Sequence, residues 1–96
     1  MEKQAIINEI VRIVRQHLPQ NGYKIVLFGS WAKGTALDTS DIDIGIIGEG
    51  EVPFDLMSTI RHAISEIPTL RSIDIVDLNA VAETFKQNAL KQAHIL

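Results

Sequence analysis

Three short runs of β-branched and apolar residues punctuate this chain: KIVLF at 24–28, DIDIGII at 41–47 and SIDIVDL at 72–78. Each has the length of a strand, is too short for a free-standing helix, and is bounded by turn formers. The intervening segments follow the other period. Ile6, Ile10, Ile13, Val14 and Leu18 recur at helical spacing, Ile7 and Val11 widen the stripe, and Pro19 closes it. PQNGY then reads as a turn. Leu56, Ile60, Ala63, Ile64 and Ile67 mark a second helix, with Pro53 near its start and Pro68 beyond its end. Asn79 is placed to cap a last helix carrying Val81, Phe85 and Ala89. SWAKGTALDTS is a loop with room for one helical turn, and GEGEVP is a break. The order αββαβα predicts an α/β (α+β) fold: a small mixed sheet flanked by helices, in one domain over residues 1–96.

Composition narrows the functional classes. There is no cysteine, which excludes a disulfide scaffold and a thiolate metal site. The formal charge is −3, and the nine Lys and Arg are spread singly, which argues against a broad nucleic-acid surface. It leaves room for a nucleotide in a small site. No run approaches the 18 apolar residues of a membrane span, and MEKQAIINEIVRIVRQ is charged throughout, unlike a signal peptide. The expectation is a cytoplasmic protein away from membranes.

The chemistry is concentrated in the second run. Side chains alternate across a strand, so Asp41 and Asp43 share one face while Ile42 and Ile44 face the core. Gly45 falls on the carboxylate face and is expected to leave open space there. Two carboxylates about 5 Å apart repel by roughly 3 kcal/mol at an effective dielectric near 20. A cation between them would remove that cost, and oxygen-only ligands suit magnesium or manganese. Asp74, between Ile73 and Ile75, points away from the core by the same parity and joins the pair if its strand is the neighbour. Asp77 has the opposite parity and reads as a loop or cap residue. Asp41, Asp43 and Asp74 are thus either a two-metal site that holds a nucleoside triphosphate and activates a hydroxyl or three solvent-facing aspartates on an edge strand. Aspartate is depleted in strands, which favours the first.

Gly29 and Ser30 end the first run. Glycine there permits a sharp turn and a close ligand. The Ser30 hydroxyl and the following N–H groups can donate to phosphate oxygens; an ordinary strand-ending turn uses the same residues. Two other phosphate motifs fail. GSWAKGTA has Walker glycine spacing, but Thr35 stands where the lysine belongs; GEGEVP lacks a third glycine and carries two acids.

Gly29-Ser30, ten residues, then Asp41-x-Asp43 resembles the signature of the DNA polymerase beta nucleotidyltransferase superfamily. SIDIV resembles the strand carrying that superfamily's third metal-binding aspartate. The short chain and its tail VDLNAVAETFKQNALKQAHIL are similar to the minimal nucleotidyltransferases, and the likeness runs from Ile25 onward. It implies transfer of a nucleoside monophosphate with release of pyrophosphate. It implies that Gly29 and Ser30 hold the triphosphate of ATP while Asp41, Asp43 and Asp74 hold Mg2+ or Mn2+. It further implies a small helical HEPN-type partner, in pairs where the nucleotidyltransferase is the antitoxin and its partner an RNase toxin.

One position departs from the common pattern: Trp31 stands where many members have arginine. Lys33 restores a positive charge, either for a triphosphate oxygen or as a solvated loop lysine. Trp31 stacks on a base, contacts a partner, or packs over the loop. Ser40 caps or orients the Asp41 strand end and is counted with the nucleotide-binding residues. Thr35, Asp38 and Thr39 are turn formers; His17, His62 and His94 share no spacing and are expected at the surface.

The resulting expectation is a metal-dependent adenylyl transfer to a hydroxyl, a tyrosine, on the HEPN-type partner. A binding antitoxin that only masks its partner is the alternative, as is a transferase acting on a small molecule. The length argues against the last, since it leaves no acceptor-binding domain. Trp31 and the apolar end AHIL suggest an exposed patch that a partner or a second copy would cover.

Overall fold

A helix spans Lys3–His17 (α1) and buries the expected stripe, with Ile6, Ile7, Ile10, Ile13 and Val14 all buried. It ends because Leu18 precedes Pro19 and is forced into extended backbone (φ −123°, ψ 127°). The computed structural model describes residues 2–19, 22–37 and 40–96. The turn residues Gln20, Asn21, Asp38 and Thr39 singled out above therefore lie outside the described residues. The remaining elements are β1 (Tyr23–Phe28), α2 (Gly29–Lys33), β2 (Ile42–Gly48), α3 (Phe54–Ser65), β3 (Ile73–Asp77), α4 (Glu83–Leu90) and β4 (His94–Ile95).

The sheet order is β3-β2-β1-β4. β1 runs antiparallel to β2 and β4, while β2 and β3 are parallel. The sheet is therefore mixed, as the element order predicts. α3 makes the crossover that a parallel pair requires. Register sets the faces. Ile25 pairs with Ile46, Leu27 with Ile44, Ile42 with Ile73 and Ile44 with Ile75. These side chains form one layer of the core, packed with the buried stripes of α1 and α3. The opposite face carries Val26, Gly45 and Leu78, and Phe28 there meets Phe85 of α4 edge to face at 6.1 Å.

Four local expectations are corrected. β2 begins at Ile42, one residue after Asp41, because pairing with β1 ends at Phe28↔Asp43 and with β3 at Ile42↔Ile73. Gly45 does not face open space: a Cβ there would meet Leu78 Cδ1 at 2.5 Å and Val26 Cγ2 at 3.1 Å. The glycine admits Leu78, which the strand pattern did not foretell. Asn79 does not cap α4, whose N-cap is Ala82 with no side-chain bond. Its amide instead donates to the Gly48 carbonyl (2.7 Å) and accepts from the Gly48 N–H (3.2 Å), continuing the β2–β3 pairing beyond the end of β3. The apolar end is partly used within the fold. β4 pairs with Val26 and Leu27, the Leu96 N–H donates to the Ile25 carbonyl (2.8 Å), and Leu96 packs on the core while Ile95 stays exposed.

Asp77 keeps its expected capping role but is buried, on the helix-covered face. Its two oxygens accept from the N–H groups of Val52 (2.7 Å) and Asn79 (2.9 Å). Among the described residues, no helix is long and apolar enough to cross a membrane.

Candidate active site

Asp43 lies in the middle of the sheet, with Phe28 of β1 opposite it on one side and Asp74 of β3 on the other. Residues directly opposite share a face, so the two carboxylates stand side by side on the face away from α1 and α3. Asp41 is exposed, one residue ahead of β2. Burial pushes the Asp43 carboxyl above the usual carboxylate range, and the charges of Asp74 and then Asp41 push it further the same way. The Phe28–Phe85 pair supplies an apolar flank beside it. The three aspartates are thus electrostatically joined, as strand parity predicts. They are not drawn into a closed ligand set: among the described residues, no three acidic or histidine side chains form a group ready to grip a metal ion. Mutual repulsion holds such side chains apart. The donor set nevertheless fits a hard cation, being all oxygen and carrying a charge that a cation would relieve.

Gly29 is required beside this group. It has φ +72°, in the left-handed region, and a Cβ on it would collide with Asp43 Oδ2. The glycine-serine turn and the Asp43 carboxylate are therefore in direct apposition. Ser30 follows in the first turn of α2, where backbone N–H groups have no intrahelical partner. The turn of α2 closes on Gly34 in left-handed backbone (φ 77°), and the Thr35 N–H donates to the Ser30 carbonyl at 3.0 Å.

Lys33 is exposed at the end of α2 and lines a cleft of about 690 Å³ with Asn88, Lys91 and Gln92. Sequence reasoning missed those three because nothing in the spacing of α4 links it to α2. Ser40 bonds back to Leu37: its hydroxyl accepts from the Leu37 N–H (2.9 Å) and its own N–H donates to the Leu37 carbonyl (2.9 Å). Trp31 packs partly buried against the core. Its ring carries Lys3 Nζ at 4.5 Å and Arg71 Cζ at 5.4 Å from its centroid. Of the three ways to use it, packing over the loop is the one this arrangement displays. His17, His62 and His94 sit on α1, α3 and β4, apart from the aspartates in sequence and element.

The pattern of the family described as polymerase beta, nucleotidyltransferase, matches residues 8–96. The chain belongs to this family. It is a nucleotidyltransferase, and its mixed sheet with flanking helices is that family's fold. A Haemophilus influenzae protein named as a protein adenylyltransferase, MntA, is 32% identical over 78 residues, covering 81% of this chain and 68% of its own length. A Methanocaldococcus jannaschii protein with a protein adenylyltransferase name is 33% identical over 89 residues, covering 91% of this chain and 94% of its own. Among solved structures, a toxin–antitoxin crystal structure with AMP-PNP superposes with a TM-score of 0.66 at 26% identity. The match covers 92% of this chain and 69% of that one.

Proposed function

We propose that this chain transfers AMP from ATP to a tyrosine hydroxyl on a helical, HEPN-type partner, and acts as that partner's antitoxin in the cytoplasm. The observation that carries the reading is the apposition of Gly29 with Asp43, itself paired in register with Asp74. It joins a turn suited to phosphate with a face of carboxylates suited to a cation. The similarity to proteins named as protein adenylyltransferases, and to a toxin–antitoxin crystallised with AMP-PNP, supports the nucleotide and the setting.

Asp41, Asp43 and Asp74 would hold magnesium or manganese, which when bound supplies charge neutralisation and a lower pKa for the attacking hydroxyl. The chain's own groups do the rest. Gly29 lets the triphosphate approach the backbone, and Ser30 donates to its oxygens, so that pyrophosphate is aligned to leave opposite the incoming oxygen. Lys33 and Ser40 complete the nucleotide-binding set, the first as a cation and the second through its place directly before Asp41. Asp74 accepts the proton of the acceptor hydroxyl. The acceptor oxygen then bonds to the α-phosphorus, the bond from that phosphorus to the bridging oxygen breaks, and pyrophosphate departs with the electron pair.

Mass spectrometry of the co-purified partner after incubation with ATP and magnesium tests this. The expected result is one or more adenylyl additions on tyrosine, lost in Asp41→Asn and Asp43→Asn while the complex still forms. A partner that is silenced by wild type yet remains unmodified would establish a masking antitoxin instead.

A further inference from the structure

We propose that Trp31 is a positioning residue for Asp41: its indole N–H holds the peptide that leads into β2, and so fixes where the first carboxylate stands relative to the glycine-serine turn. The inference rests on the transferase reading above. Trp31 directly follows Gly29 and Ser30 in α2, and its Nε1 donates to the Ser40 carbonyl at 3.1 Å. On the other side of Asp41, the Ile42 N–H donates to the Ser72 carbonyl at 2.9 Å. Asp41 is therefore the one residue between two anchored peptide groups, although its side chain is exposed. Fixing a loop residue's backbone opposes its conformational entropy. Doing so ahead of ligand binding is the preorganisation that a carboxylate near a cation and a triphosphate needs.

The indole is itself braced. Lys3 comes from the start of α1, and Arg71 immediately precedes Ser72, the residue whose carbonyl anchors Ile42. Both cations lie within the range of a cation–π contact. One side chain thus ties α1, the glycine-serine helix and the starts of β2 and β3 together at the carboxylate end of the sheet. If Trp31 were only packing, any ring of similar size would serve. If it positions Asp41, a ring without the N–H donor is not enough.

Trp31→Phe separates the two, since it keeps a ring for the cations and loses the donor. The metal-free melting temperature is expected to fall by no more than the several degrees of one lost hydrogen bond. The midpoint of a manganese titration, read by thermal shift without any acceptor, should move up about fivefold, the scale of one lost hydrogen bond. The kcat for AMP transfer should fall on the order of tenfold, with the KM for the partner unchanged. Trp31→Ala, which also removes the ring, gives the signature of a purely structural loss: a lower metal-free melting temperature. The proposal is overturned if Trp31→Phe keeps the wild-type manganese midpoint, whether or not its melting temperature drops. Should wild type take up manganese without transferring AMP, the transferase reading fails, and the midpoint shift alone decides the role of Trp31.

Discussion

Gly29 and Asp43 constrain each other directly in the candidate site. Gly29 occupies left-handed backbone, and the space where its Cβ would stand is filled by the Asp43 carboxylate. Gly29→Ala should therefore cost about 2 kcal/mol or more, from the backbone conformation alone plus the displacement of Asp43. Urea denaturation should show that loss together with loss of AMP transfer. Asp43 has the opposite sign. Its folded-state carboxyl is raised above the ordinary range by burial and by Asp74 and Asp41. The native state thus binds more protons than the unfolded chain between the two titration ranges, and stability falls as pH rises through that window. Above that window both states are deprotonated and the full penalty is present. Metal-free Asp43→Asn should accordingly melt above wild type at pH 7, with the gap closing in acid below the ordinary carboxylate range. A wild type that gains stability from pH 5 to pH 7 relative to Asp43→Asn would show the sign to be wrong.

At the level of elements, the sheet is held by groups that hydrophobic patterning describes unevenly. α1 and the first three strands were legible because their apolar residues repeat at clear periods, and the period of two also placed Asp43 and Asp74 on one face. β4 was not legible: two residues carry no periodicity, and their pairing with Val26 and Leu27 is decided by the path of the chain after α4. The fit of Leu78 over Gly45 and the Asn79–Gly48 pair were hidden for a related reason, since each depends on which strands are neighbours. Asp77 is the clearest case of a polar residue whose element, not its chemistry, sets its role. Buried at the end of β3, it accepts the Val52 N–H and so ties the β2–α3 connection to the sheet. Asp77→Ala leaves that N–H without its charged acceptor and should cost about 2–3 kcal/mol in urea denaturation. Manganese binding should persist in the folded fraction, because Asp77 projects from the face opposite Asp43 and Asp74.

Across the whole molecule, the candidate site occupies the end of the sheet where β1 finishes and β2 and β3 begin. The loops at that end also carry Leu37 and Leu70, 71% and 107% exposed, so apolar surface and clustered carboxylates lie together there. Phe54, at the start of α3, and Ile95, in β4, are also exposed, so the exposed apolar residues come from several elements. Asp43 and Asp74 stand side by side on neighbouring strands with Asp41 just ahead of β2, and burial first, then these two charges, raise the Asp43 carboxyl. A cation that binds the folded site and not the unfolded chain must stabilise the fold by mass action. At a hundredfold excess over its Kd, the gain is about 2.7 kcal/mol, or roughly 10–20 °C in Tm for a chain of this size. Manganese or magnesium at millimolar concentration, with AMP-PNP present, should produce a shift of this order in wild type. It should largely vanish in Asp41→Asn and Asp43→Asn, while Asp77→Ala, weakened but intact at the site, should still respond. Equal shifts in wild type and Asp43→Asn would place any bound metal away from these strands.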